Sequence, residues 1–170
     1  MILGISTSTF TLVHVVLSLV GIFAGLVVLF GMFSSKKLNG WTALFLATTV
    51  LTSVTGFFFP FDHLLPSHIV GILSLVVLAV AILALYAYHL AGSWRWIYVV
   101  GTAVALYLNV FVGVVQAFQK VPLFSALAPT QSEPPFLIAQ AAVLVIFVVL
   151  GVVAVRSFHP PADALASSAV

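Results

Sequence analysis

The chain has 170 residues, of which 64% are hydrophobic and only 5% are Lys, Arg, Asp or Glu, and its mean hydropathy is +1.35. Soluble domains are about half apolar and about a quarter charged; this chain has too few ionic side chains to cover a water-facing surface, which leaves an integral membrane protein. A net charge of +2 with no basic run gives no nucleic-acid footprint, and the lack of cysteine excludes disulfides, thiolate metal sites, iron–sulfur clusters and thiol catalysis.

A helix needs about 20 apolar residues to cross a hydrocarbon core of about 30 Å. Five such runs are predicted, with every formal charge falling between them, at their ends or in the tail. The first covers about Thr9 to Phe33 and stops at Ser34-Ser35-Lys36-Lys37. The second covers about Gly40 to Phe59 and stops at Pro60-Phe61-Asp62. The third opens near Pro66 and closes at Leu90-Ala91-Gly92. The fourth runs from Trp94 to about Gln119, before Lys120-Val121-Pro122. The fifth starts after Pro134-Pro135 and ends at Arg156. The runs lack period-two alternation, which excludes a barrel. No positive charge precedes the first run and no small-residue cleavage site follows it, so it is expected to be retained rather than removed as a signal peptide. The fold expected is therefore all-α, a bundle of five transmembrane helices over residues 1–158. A Pro-broken tail, 159–170, is expected to be disordered.

Lys36, Lys37, Arg95 and Arg156 fall on one side of this topology and only Lys120 on the other. Cytoplasmic loops hold the Lys/Arg excess, so the expected orientation is N-terminus outside and C-terminus and tail cytoplasmic. Trp41, Trp94, Trp96, Tyr86, Tyr88 and Tyr98 form an aromatic belt at the same cytoplasmic ends.

Two helix pairs share landmarks. His14 opens the first span and Trp41 the second; His68 opens the third and Trp94 the fourth, at nearly the same spacing. Ala47-Thr48-Thr49-Val50 also matches Gly101-Thr102-Ala103-Val104. A parallel duplication of pairs 1–2 and 3–4 would set His14 and His68 at equal depth on opposite sides of a four-helix core. Apolar sequences also resemble one another by chance, and both readings stand at this point.

Polar side chains inside spans face protein or a water-filled cavity, because lipid cannot satisfy them. Asn109, Gly113, Gln116 and Lys120 form a stripe on the fourth span; Thr48, Thr52 and Thr55 form another on the second. Span one carries His14 and Ser18, with Gly21 and Gly25 below, and span five carries Gln140 near its outer end. The plain reading of the threonines is back-bonding to the preceding turn, and that of the Gly21–Gly25 pair is close helix packing. Asn109 has four hydrogen-bonding sites at mid-membrane depth, so packing and ligand contact are equally good explanations for it. Apart from the threonines, the polar groups gather toward the outer face. An outward-facing polar pocket framed by spans one to four is expected, with Tyr107 offering a ring for stacking and the loop from Lys120 to Pro135 folding down as a lid.

The chemistry that fits this pattern is binding. His14 and His68 are candidate axial ligands for haem b; covalent haem is excluded because no Cys-x-x-Cys-His occurs. A quinone or lipid would set its polar end against Asn109, Gln116, Gln140 and His14. A metal site from Asp62, His63 and Glu133, with His68, is a further candidate, although no helical His-x-x-x-His spacing supports it. The plain alternative is that these groups cap helices and bind interfacial water. No formal charge lies within a span away from its ends, which disfavours a proton-coupled transporter. From a different class comes a structural or assembly accessory subunit, docking other membrane proteins or further copies of itself through its Gly and Thr faces.

The stretch Leu44-Phe-Leu-Ala-Thr-Thr-Val-Leu-Thr-Ser-Val-Thr-Gly-Phe-Phe-Phe-Pro-Phe61, together with Ala128-Pro-Thr-Gln-Ser-Glu-Pro-Pro-Phe136, resembles a group of small uncharacterised multi-pass bacterial inner-membrane proteins. The resemblance covers most of spans two to five. It implies a bacterial inner-membrane location and carries over no catalytic residue.

Overall fold

The computed structural model describes residues 1–2, 4–60 and 66–161. These form α1 (Thr7–Phe33), α2 (Asn39–Gly56), α3 (Pro66–Ile82), α4 (Trp94–Lys120), the short α5 (Pro122–Leu127) and α6 (Pro134–Ser157). Local chemistry explains the boundaries. The Ser6 hydroxyl caps α1 by accepting the Thr9 N–H at 3.1 Å. Pro122 and Pro134 occupy the first turns of α5 and α6, where the missing N–H costs nothing. Lys120 and Arg156 lie in the last turns of α4 and α6, where the helix dipole favours a cation.

Among the described residues four helices are long and apolar enough to cross a membrane: α1, α3 with the turn that continues it, α4 and α6. The remaining long helix, α2, has 18 residues, about 27 Å at about 1.5 Å per residue. Its Asn39-Gly40 start and its run of threonines make it less apolar than the others. Those threonines point inward, Thr42, Thr48 and Thr49 all being buried. In α6 the apolar side chains turn outward instead, with Ile138 66% and Val145 61% exposed. Such a surface suits lipid and not water.

α1 packs along α2 and α3 along α4; α2 meets α3 and α1 meets α4, so these four helices close a ring. α6 lies outside the ring against α4 and α1. A tight approach between helices is at Gly25, where an added Cβ would lie 2.7 Å from Leu106 Cδ1 and 2.8 Å from the Phe45 ring. Phe45 and Leu106 are fully buried there, so the glycine is required by packing. At Gly101 the α3–α4 contact is similar, with Ala81 Cβ 3.1 Å from a Cβ at that position.

At the end carrying Lys36, Lys37, Arg95 and Arg156 the chain is fastened by polar contacts. The Arg95 guanidinium donates to the carbonyls of Val155 at 3.1 Å and Phe158 at 2.6 Å, capping α6. The Ser35 hydroxyl donates to the Ser157 carbonyl and accepts the His159 N–H. The chain is thus anchored as far as His159, inside the segment expected to be disordered; residues 162–170 lie outside the described residues. Tyr88 and Trp94 stack at 3.8 Å beside them.

Two local features were not anticipated. The third span does not run as one α-helix: from Leu83 to Ala87 it widens into a π-helical turn, closed by the Tyr88 N–H on the Leu83 carbonyl at 3.0 Å. The outer loop contains α5, which sets Phe124 against Phe118 of α4, their centroids 5.4 Å apart.

Candidate functional site

A cavity of about 760 Å³ opens within the α1–α4 ring, in the half of the bundle that holds the N-terminus and Lys120. α1 contributes Thr11, His14 and Ser18; α2 contributes Thr49, Thr52 and Ser53; α3 contributes Ser67, His68 and Ser74; and α4 contributes Asn109, Gly113, Gln116 and Lys120. Val15, Ile22, Phe57, Phe59, Val70 and Val112 supply apolar wall between them. The four-residue stripe expected on the fourth span therefore faces one space, shared with both histidines expected at the mouth. Nothing acidic is among the described lining residues.

His14 sets Nδ1 2.8 Å from the Thr55 hydroxyl, and its ring meets Phe59 edge-on at 5.2 Å. His68 is 4% exposed and lies flat against Phe57, with centroids 5.6 Å apart. Asn109 accepts the Ser18 hydroxyl proton at Oδ1, at 2.7 Å, and its amide Nδ2 reaches the Ser18 carbonyl at 3.4 Å. Across the ring Ser53 donates to Ser74 at 3.1 Å. These contacts hold α1 to α4 and α2 to α3 through polar atoms at the cavity wall.

Two hydroxyls in that wall are left over. Thr49, only 1% exposed, and Thr52 each have a buried Oγ1 with no hydrogen-bond partner. By contrast, Thr48 donates to the Leu44 carbonyl at 2.7 Å and Thr55 to the Leu51 carbonyl at 2.7 Å. Back-bonding thus accounts for Thr48 and Thr55 and not for Thr49 or Thr52. Gly21 faces the same spot: a Cβ there would lie 3.1 Å from both Thr48 Oγ1 and Thr49 Oγ1 and 3.2 Å from Asn109 Nδ2.

Several expected residues stand elsewhere. Gln140 does not line the cavity. It projects from α6 onto the outer side of α4, where Nε2 donates to the Phe111 carbonyl at 3.2 Å and Oε1 is buried without a partner. Tyr107 also faces α6, packing on Phe147 at 5.9 Å and lining a separate apolar groove of about 360 Å³ between α4 and α6. The outer loop is not a lid among the described residues: it is drawn onto α4 by Gln131, whose amide donates to the Val115 carbonyl at 3.0 Å, and of the loop's residues only Lys120 and Val121, at its start, reach the cavity wall. Glu133 accepts from the Thr130 hydroxyl at 2.8 Å and from the N–H groups of Thr130 and Ser132, a clasp within its own loop. Slight desolvation pushes its carboxyl upward, but these hydrogen bonds outweigh it and hold the group below the ordinary carboxylate pKa. Asp62 and His63 lie outside the described residues, and among the described ones no group of three His, Asp or Glu is placed to hold a metal ion.

Sequence reasoning passed over Thr49 and the His14–Thr55 pair. Thr49 had a usable signal, since it stands one helical turn from Thr52 and Ser53 on the same helix. The pairing had none, because it depends on how α1 and α2 align.

Comparison with protein families, with curated proteins and with solved structures finds no match to this chain.

Proposed function

We propose that this chain is a five-helix membrane protein, of the bacterial inner membrane, that binds a lipophilic small molecule in the cavity between α1, α2, α3 and α4. In this reading α2 is the fifth span: its length is close to the hydrocarbon thickness, and its polar residues are turned inward. The N-terminus is outside, because four of the five Lys and Arg lie at the end opposite the cavity. The cavity then opens outward, and α1–α2 and α3–α4 are a duplicated pair that brings His14 and His68 to one space.

The observation that carries the reading is the pair of buried, unpartnered hydroxyls on Thr49 and Thr52. A buried hydroxyl without a hydrogen bond costs about 1–3 kcal/mol, and in lipid no bulk water relieves it. Set in a cavity with apolar walls, two of them favour a guest with an apolar body and a small polar end. Haem b, with His14 and His68 as axial ligands, is a narrower version of the same reading. The accessory-subunit reading draws instead on the exposed apolar face of α6.

The deciding experiment is gentle extraction of the protein, mass spectrometry of what co-purifies, and an absorption spectrum. A stoichiometric lipophile that is lost on Thr49→Val or Asn109→Leu supports the proposal. A reducible Soret band lost in His14→Ala or His68→Ala selects haem. Protein that emerges empty, but tightly bound to another membrane protein, overturns the binding reading in favour of the accessory one.

A further inference from the structure

We propose that His14 presents the bare lone pair of Nε2 to the guest, so that the cavity selects a hydroxyl-bearing lipophile, a hydroquinone or phenol, over its carbonyl-only counterpart. This inference rests on the proposed binding function and adds the chemical class of the ligand.

Thr55 lies in the last turn of α2 and has a single hydroxyl hydrogen. Its Oγ1 lies 2.7 Å from the Leu51 carbonyl and 3.2 Å from that of Thr52, and neither oxygen can donate. The hydrogen is therefore committed to the helix backbone, as is usual for threonine in an apolar helix. What Thr55 Oγ1 offers to His14 Nδ1, 2.8 Å away, is a lone pair. A lone pair facing a bare nitrogen at that distance would be repulsive, so Nδ1 carries the ring hydrogen and donates it. A neutral imidazole protonated at Nδ1 has no hydrogen at Nε2. That atom makes no hydrogen bond to any described residue, and the side chain lines the cavity. His14 Nε2 is thus an acceptor that cannot donate, on a side chain that lines the cavity.

The rest of the wall supplies the complement. Thr49 and Thr52 carry hydroxyl hydrogens without an acceptor. A guest O–H can donate to His14 Nε2 while a guest oxygen accepts from a threonine hydroxyl. A quinone carbonyl serves the second role and not the first, and leaves Nε2 unsatisfied. Binding is all that is inferred; no electron changes hands.

The test has two parts. In protein labelled with ¹⁵N-histidine and held in detergent at alkaline pH, two-bond ¹H–¹⁵N correlation reads the tautomer directly. The expected spectrum shows His14 protonated at Nδ1 and bare at Nε2, turning into a tautomer mixture in Thr55→Val. Protonation at Nε2 in the native protein overturns the inference. Separately, decylubiquinol and decylubiquinone are titrated by tryptophan fluorescence, the first kept reduced under argon. The quinol is expected to bind about tenfold tighter, the size of one buried hydrogen bond. In His14→Phe that preference should vanish while quinone binding persists. Equal binding of both forms, unaffected by His14→Phe, sinks the His14 assignment and leaves the cavity's binding role standing. If neither form binds, the ligand class is wrong, and the mass-spectrometric experiment decides the wider reading independently.

Discussion

Ser18 on α1 and Asn109 on α4 are joined by two polar contacts, hydroxyl to Oδ1 at 2.7 Å and amide Nδ2 to the Ser18 carbonyl at 3.4 Å. Hydrogen bonds between membrane helices are worth about 0.6 kcal/mol on average and at most about 1.7 kcal/mol. The first of these is short and aligned with a buried amide. A Ser18→Ala/Asn109→Ala double-mutant cycle, read from unfolding in a graded detergent mixture, should give a coupling of about 1 kcal/mol. A coupling indistinguishable from zero would mean that the two side chains do not hold the helices together.

Gly25 and Gly21 are one turn apart on α1 and should respond differently to alanine. At Gly25 the added methyl meets Phe45 and Leu106, both fully buried, so overpacking of about 1–3 kcal/mol outweighs the helix-propensity gain of about 0.5–1 kcal/mol. Gly25→Ala should lower stability by about 1–2 kcal/mol. At Gly21 the neighbours are two threonine hydroxyls and an amide, each needing to yield by only tenths of an ångström. Gly21→Ala should leave stability nearly unchanged but loosen ligand binding. The same unfolding assay, run beside a binding titration, separates the two effects.

The Glu133 clasp gives a pH dependence. Hydrogen bonds hold its folded-state pKa below the ordinary value, so the carboxylate's contribution to loop order is complete above that ordinary value. It is lost as pH falls through the depressed one. Amide hydrogen exchange at Thr130 and Ser132, corrected for intrinsic rates, should accelerate only below the usual carboxylate range. Glu133→Gln should show the faster exchange at neutral pH. Because Glu133 stands away from the cavity, ligand binding should be unaffected.

Gln140→Leu is expected to be neutral or mildly stabilising. The substitution forfeits one bond to a carbonyl already serving its own helix and removes a buried orphan oxygen, a group that costs about 1–3 kcal/mol when unsatisfied. The variant should also bind the cavity ligand like the parent chain. A loss of binding in Gln140→Leu would show that α6 contributes to the site after all.

Hydrophobic run length was enough to read the helices, because crossing a bilayer demands a fixed number of apolar residues and the charges mark where each run stops. The stripe Asn109–Gly113–Gln116–Lys120 was legible for a similar reason, as helical spacing alone puts those side chains on one face. What escaped was set by relations between helices. Gln140 and Tyr107 look like pocket residues along the chain, but α6 packs outside the ring and draws both to the far side of α4. The outer loop reads as a lid from its apolar content, but Phe124 stacks on Phe118 of α4 while Leu123 and Leu127 stay exposed. Thr49 stands beside Thr48 in sequence, and only the geometry of α2 shows that one finds a carbonyl and the other does not.

One turn along α1 from Ile22, which lines the cavity, Gly25 packs against the fully buried Phe45 of α2 and Leu106 of α4. That packing closes the α1–α2–α4 side of the bundle next to the cavity, and under the proposed function it would favour a guest that enters and leaves by the same end. Passage beyond this point would require the Phe45 ring and Leu106 side chain to part, where both already press against the bare Cα of Gly25.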